Sequence, residues 1–121
     1  MANAFSKTSP IYLQIVDMLK VDIAAGRYGP DDRLPAVRDL ALQCGVNPNT
    51  VQRAYQELEN QGLVQSERTA GRFLTIDEQK IAQLKDSLCA AYISDLFAKM
   101  TSIGLDEEEA VKKITEWRCH Q

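Results

Sequence analysis

Apolar residues recur with helical spacing through most of this chain and switch to strict alternation in one place. Between Leu34 and Leu63, Val37, Leu40 and Ala41 mark one face of a short helix, which Cys44 and Val46 close. Gly45 sits at the joint, where a tight turn needs a backbone tolerant of positive φ. A second stripe follows at i, i+3, i+4 and i+7, made of Val51, Ala54, Tyr55 and Leu58. Asn47 is placed to cap this second helix. Pro48 takes its first position, where a missing N–H costs nothing. Two short amphipathic helices joined by such a turn form the pattern of a helix-turn-helix.

The alternating stretch lies just downstream. Gly62 ends the second helix, residues 63–66 alternate as one strand, and residues 71–76 alternate as its partner. With Glu67 to Ala70 between them, they predict a β-hairpin wing. Upstream, a helix is expected from Pro10 to about Ala25, capped by Ser9 and stopped by Gly26, with Ile11, Ile15, Met18, Leu19 and Ile23 facing the core. Residues 28–32 carry turn chemistry. Met1 to Thr8 show no periodicity and read as a frayed end.

After Thr75 the helical period returns. Ile81, Leu84, Leu88, Ala91, Tyr92, Leu96, Met100 and Ile103 line one side of a helix of about 26 residues, which Gly104 ends. Asp106 and Glu109 have the spacing of a capping box, and Ala110, Val111, Ile114 and Trp117 form the next apolar stripe. The pair reads as an antiparallel hairpin whose two stripes need a further surface to cover them. The fold class expected is therefore mostly α with a small β-hairpin: a winged helix-turn-helix over residues 9–76, then a two-helix tail over residues 77–121.

The outward residues of the second helix carry the candidate chemistry. Asn49, Thr50, Gln52 and Arg53, with Asn47 at the tip, offer amides, a hydroxyl and a guanidinium, the groups that pair with base edges in the major groove of double-stranded DNA. Arg68 and Arg72 stand on the wing, where phosphate or the minor groove would be in reach. The formal net charge of −3 opposes nucleic-acid binding as a sum, but its distribution does not. Residues 1–75 hold 8 Lys and Arg against 8 Asp and Glu, while residues 76–121 hold 6 against 9. Arg33, Arg38, Arg53, Arg68 and Arg72 fall around the two short helices and the wing, so a basic face can form on a neutral domain. A rival class is a winged helix that docks proteins without reading DNA; a gathering of guanidinium groups on the recognition helix and wing argues against it.

Other classes find little support. No apolar run approaches the roughly 18 residues of a membrane span, and the N-terminus lacks a signal peptide's apolar stretch, so a cytoplasmic protein with no membrane role is expected. The 3 cysteines, Cys44, Cys89 and Cys119, are odd in number and widely spaced, which suits a reducing compartment. The single histidine, His120, lies at the end of the chain, so neither a catalytic triad nor a histidine-based metal site is expected, and no cofactor.

Residues 9–15 (SPIYLQI), 33–41 (RLPAVRDLA), 45–52 (GVNPNTVQ), 54–59 (AYQELE) and 61–64 (QGLV) closely resemble the GntR family of bacterial transcription regulators. The resemblance spans about Ser9 to Thr75, and the short tail and the NPNT turn look like its YtrA-like subgroup. It implies a sequence-specific regulator, in that subgroup a homodimeric repressor on an inverted-repeat operator, with any small-molecule effector unknown. It also implies that Arg38 contacts DNA and that Gly71 lets the wing backbone approach it. The tail then becomes the dimerisation element, with Leu84, Leu88, Tyr92, Leu96, Met100, Ile114 and Trp117 in the interface. Two positions depart from the family pattern: Pro48 and Gln52 stand where many members carry guanine-reading arginines. Ala36 also replaces a common serine cap, a loss of about 1 kcal/mol.

Overall fold

Gly45 adopts φ +68 and ends the first helix of the turn, while Asn47 begins the second by accepting the Asn49 N–H at 2.8 Å. These local choices fix the centre of a computed structural model that describes residue 5, residues 7–67 and residues 70–120. The elements are α1 (Ile11–Ala24), α2 (Val37–Cys44), α3 (Pro48–Asn60), β1 (Val64–Glu67), β2 (Gly71–Leu74), α4 (Glu78–Ser102) and α5 (Glu107–Cys119). The expected winged helix-turn-helix is present.

Helix α3 is the hub, packing on α1, α2 and β1. Its stripe of Val51, Ala54, Tyr55 and Leu58 is wholly buried, as the spacing predicted. Burying each of the larger apolar side chains contributes about 1.5–3 kcal/mol, and Tyr55 also hydrogen-bonds from its hydroxyl to the Pro35 carbonyl at 2.5 Å. Helix α2 contributes Leu40, Ala41 and Cys44 to the same core. As expected, Ala36 gives it no side-chain cap.

Helix α1 differs from expectation at its start. Its cap is Pro10, not Ser9, and no side chain caps it; the Gln14 amide instead donates to the Ser9 carbonyl at 2.9 Å. Ile15, Val16, Leu19 and Ile23 are buried, whereas Ile11 is exposed and Met18 half-buried. Ile11 precedes the part of α1 that packs over the core and borders an open cleft beside Asn49 and Thr50.

The hairpin pairs Val64 with Leu74 and Glu67 with Gly71 in antiparallel register. An extended segment before α2 adds to its other edge, which the turn-like residues 28–32 did not reveal. Arg33 bridges to Phe73, Leu34 N–H donates to the Arg72 carbonyl at 2.9 Å, and Leu74 N–H donates to the Asp32 carbonyl at 2.8 Å. The wing is thereby tied at its base to the segment that launches α2.

The chain divides into two units, one ending at Lys85 and the other beginning at Asp86. The first turns of α4 thus belong with the winged helix, where Leu84 is buried. Asp77 starts α4 by accepting the Gln79 N–H at 3.0 Å. In the second unit, Asp106 and Glu109 form the expected capping box, with bonds of 2.8 and 3.2 Å. The antiparallel pairing expected of α4 and α5 is not adopted: α5 leaves at 110° to α4 beyond Gly104, and the two do not pack along their lengths. Ala110 is buried, but Tyr92, Ile93, Leu96, Ile103, Val111 and Trp117 are exposed. Among the described residues, no single helix is long and apolar enough to cross a membrane.

Candidate nucleic-acid interface

The tip of α3 gathers the residues that the sequence pointed to. Pro48 removes one N–H from the first turn and Asn47 satisfies another with its side-chain carbonyl, so Asn47 serves the helix first. Asn49, Gln52 and Arg53 are exposed and Thr50 is half-buried. The Asn49 and Gln52 amides take no side-chain hydrogen bond among the described residues, which leaves paired donor and acceptor groups free in water. Arg38, exposed on the first turn of α2, has no ion pair among them either.

Arg53 is held differently. Its guanidinium carbon stands 4.0 Å from the centroid of the Tyr12 ring, which reaches across from α1. Sequence reasoning passed over Tyr12, because nothing in the spacing of α1 tells which outward residue meets α3.

On the wing, Arg72 turns toward α3: its Nε lies 3.3 Å from Glu59 Oε1 and its guanidinium covers the Tyr55 ring at 5.1 Å. Ser66 hydroxyl also donates to Glu59. One carboxylate near the end of the recognition helix therefore holds both strands of the wing. Burial above all pushes the Tyr55 phenol far above its ordinary range, so it remains a donor to Pro35. Gly71 has φ +102, and a Cβ there would lie 3.1 Å from Arg33 Nε. The backbone conformation thus favours glycine, and a side chain there would crowd the Arg33 guanidinium. Arg68 lies outside the described residues, as do Met1 to Ala4 and Ser6 of the N-terminal segment.

Chemical reactivity is not concentrated here. Cys44 is buried in the core, and desolvation raises its thiol pKa, so it acts as a small apolar side chain. No group of three or more metal-ligating side chains forms among the described residues.

A recognition helix with a free polar tip, a supporting helix with an unpaired arginine and a wing tied to both define a winged helix-turn-helix of the DNA-reading kind. The chain belongs to the gntR family of bacterial regulatory proteins, whose model matches residues 11–74. It is 38% identical over 114 residues to the HTH-type transcriptional regulator YhcF of Bacillus subtilis, covering 94% of each chain. It is 34% identical over 116 residues to the HTH-type transcriptional repressor YtrA of the same organism, covering 91% of this chain and 82% of that one. A GntR family transcriptional regulator from Listeria monocytogenes superposes with a TM-score of 0.84 at 34% identity, covering 93% of this chain and 98% of the other. The family and these relatives are regulators of transcription, not enzymes, and the resemblance to the YtrA-like subgroup extends through the tail.

Proposed function

We propose that this chain is a homodimeric transcriptional repressor that reads an inverted-repeat operator in the cytoplasm. The observation that carries the DNA-reading half is the polar tip of α3: Asn49, Thr50, Gln52 and Arg53 offer side-chain groups with no hydrogen bond among the described residues, flanked by Arg38, which has no ion pair among them. Amides that present a donor and an acceptor side by side match adenine N6 and N7, so A·T pairs are favoured among the bases read. Arg38 and the wing's Arg68 add phosphate contacts, Gly71 lets the wing backbone come close, and Arg72 acts by fixing the wing.

The dimeric half rests on the tail. Leu88, Tyr92, Leu96, Met100, Ile114 and Trp117 remain at least partly open to solvent, and Ile93, Ile103 and Val111 extend the apolar surface. Leu84, by contrast, is already buried within the first unit and supports the domain rather than the interface. An apolar surface of this extent on a short chain calls for a partner, and a second copy is always present. The repressor role follows the named activity of the YtrA relative.

Sedimentation with a fluorescent operator duplex tests the reading. Two protomers per duplex are expected, with a log–log salt slope of about −5 to −9 if each protomer neutralises roughly 3–5 phosphates. One protomer per duplex at saturation contradicts the dimer; affinity unchanged by operator sequence contradicts specific reading.

A further inference from the structure

Tyr12 and Arg53 meet across α1 and α3 at the edge of a cleft of about 380 Å³, lined also by Pro10, Ile11, Asn49 and Thr50. Arg53 has no carboxylate partner among the described residues, unlike Arg27, which pairs with Asp22, and Arg72, which pairs with Glu59. Its guanidinium lies instead over the ring face. Stacking of this kind fixes the plane of a guanidinium while leaving its N–H edges unbonded, so the hydrogen-bonding capacity of Arg53 stays available. A free arginine on a helix surface must otherwise give up rotamer freedom when it binds, and a ring that holds it beforehand lowers that cost.

We propose that Tyr12 is a positioning residue for DNA recognition: its ring holds the Arg53 guanidinium toward the phosphate backbone beside the bases read from the α3 tip. The inference rests on the DNA-reading function and adds a residue from α1 to it. Phosphate is the partner because the same edge carries the first turn of α1, the positive end of that helix's dipole. Tyr12 works through Arg53 and needs no contact of its own.

Fluorescence anisotropy of the full chain on its selected operator, with a double-mutant cycle, tests the coupling. Arg53→Ala should weaken binding and reduce the salt slope by about 1 per protomer. Tyr12→Leu should weaken binding about 2- to 5-fold per half-site, the loss of one exposed cation–π contact, with unchanged thermal melting. Tyr12→Phe keeps the ring and should stay within about twofold of the parent chain. In an Arg53→Ala background, Tyr12→Leu should cost nothing further.

Equal damage from Tyr12→Phe and Tyr12→Leu would assign the phenol itself to DNA and overturn the proposal. So would additive losses, which mark a role independent of Arg53, or a Tyr12→Leu loss that follows melting. Parent-level binding by Arg53→Ala overturns it while leaving specific DNA reading intact. A parent chain that selects no sequence overturns both.

Discussion

The Arg72 guanidinium bonds to Glu59 at 3.3 Å and covers the ring of Tyr55, so the wing is anchored to the recognition helix by a charge and an aromatic face together. Both partners are mostly shielded, with side chains 19% and 23% exposed, which keeps the pair from the near-zero value of an open surface salt bridge. Because Tyr55 also bonds to Pro35, the anchor reaches the segment ahead of α2. Recognition helix, wing and helix-turn-helix entry thus share one small network.

Replacing Arg72 by Ala should therefore lower stability by about 2–4 kcal/mol, the range of a charge-assisted hydrogen bond plus a cation–π contact. Urea unfolding should show a lower midpoint with the same slope. Arg72→Ala and Glu59→Ala together should cost less than the sum of their separate effects. Full additivity would mean that the two side chains do not act as a pair.

Two glycines in the same domain should respond differently to alanine. At Gly45, with φ +68, an added Cβ meets nothing within 4 Å, so only backbone strain of about 1 kcal/mol is expected. At Gly71 the strain comes with a Cβ only 3.1 Å from Arg33 Nε, and displacement of Arg33 or the wing adds to it. Thermal melting should rank Gly71→Ala below Gly45→Ala, and operator affinity should fall further for Gly71→Ala. Equal melting temperatures would remove the contact with Arg33 from the account.

Arg38→Ala should weaken operator binding with the fold intact, since the side chain is exposed and has no ion pair among the described residues. The expected loss is about 1–3 kcal/mol per half-site for a base contact and less for a phosphate contact. A gel shift alongside circular dichroism measures it; unchanged affinity would place Arg38 outside the interface.

Where the chain is cut should matter. A chain ending at Lys85 retains the buried Leu84 and should fold as a monomer, whereas one ending at Ile76 loses about 1.5–3 kcal/mol of apolar burial. In the full chain, the single tryptophan, Trp117, is 66% exposed on one protomer, so dimer formation should shift its emission to the blue as concentration rises. Emission independent of concentration, with a monomer by sedimentation, would contradict the tail's proposed role.

The elements most legible in the sequence were those fixed by local chemistry. Gly45, Asn47 and Pro48 announce the turn because each satisfies a backbone requirement within a residue or two. The buried stripe of α3 was equally legible, since its other face carries no large apolar residue to compete. The strand-like segment at Asp31–Leu34 escaped because its partner, β2, is distant in sequence and turn residues mask its start. The pairing of Arg72 with Glu59 is illegible for a related reason: alternation assigns a face of a hairpin, but not which charge on another element a side chain will meet. In the tail, Ile93 and Phe97 lie outside the stripe assigned to α4, so periodicity gave the helix but not its partner. Tyr12 depends wholly on how α1 meets α3.

On the proposed function, exposed amides at the tip of α3 read a specific operator for a dimer. Selection of binding sites from random duplex DNA with the purified full chain tests it most directly. Enrichment is expected of one inverted repeat with fixed spacing, with A·T pairs at positions whose preference relaxes in Asn49→Ala and Gln52→Ala. Enrichment of no sequence, or of a motif that both variants select unchanged, would contradict it.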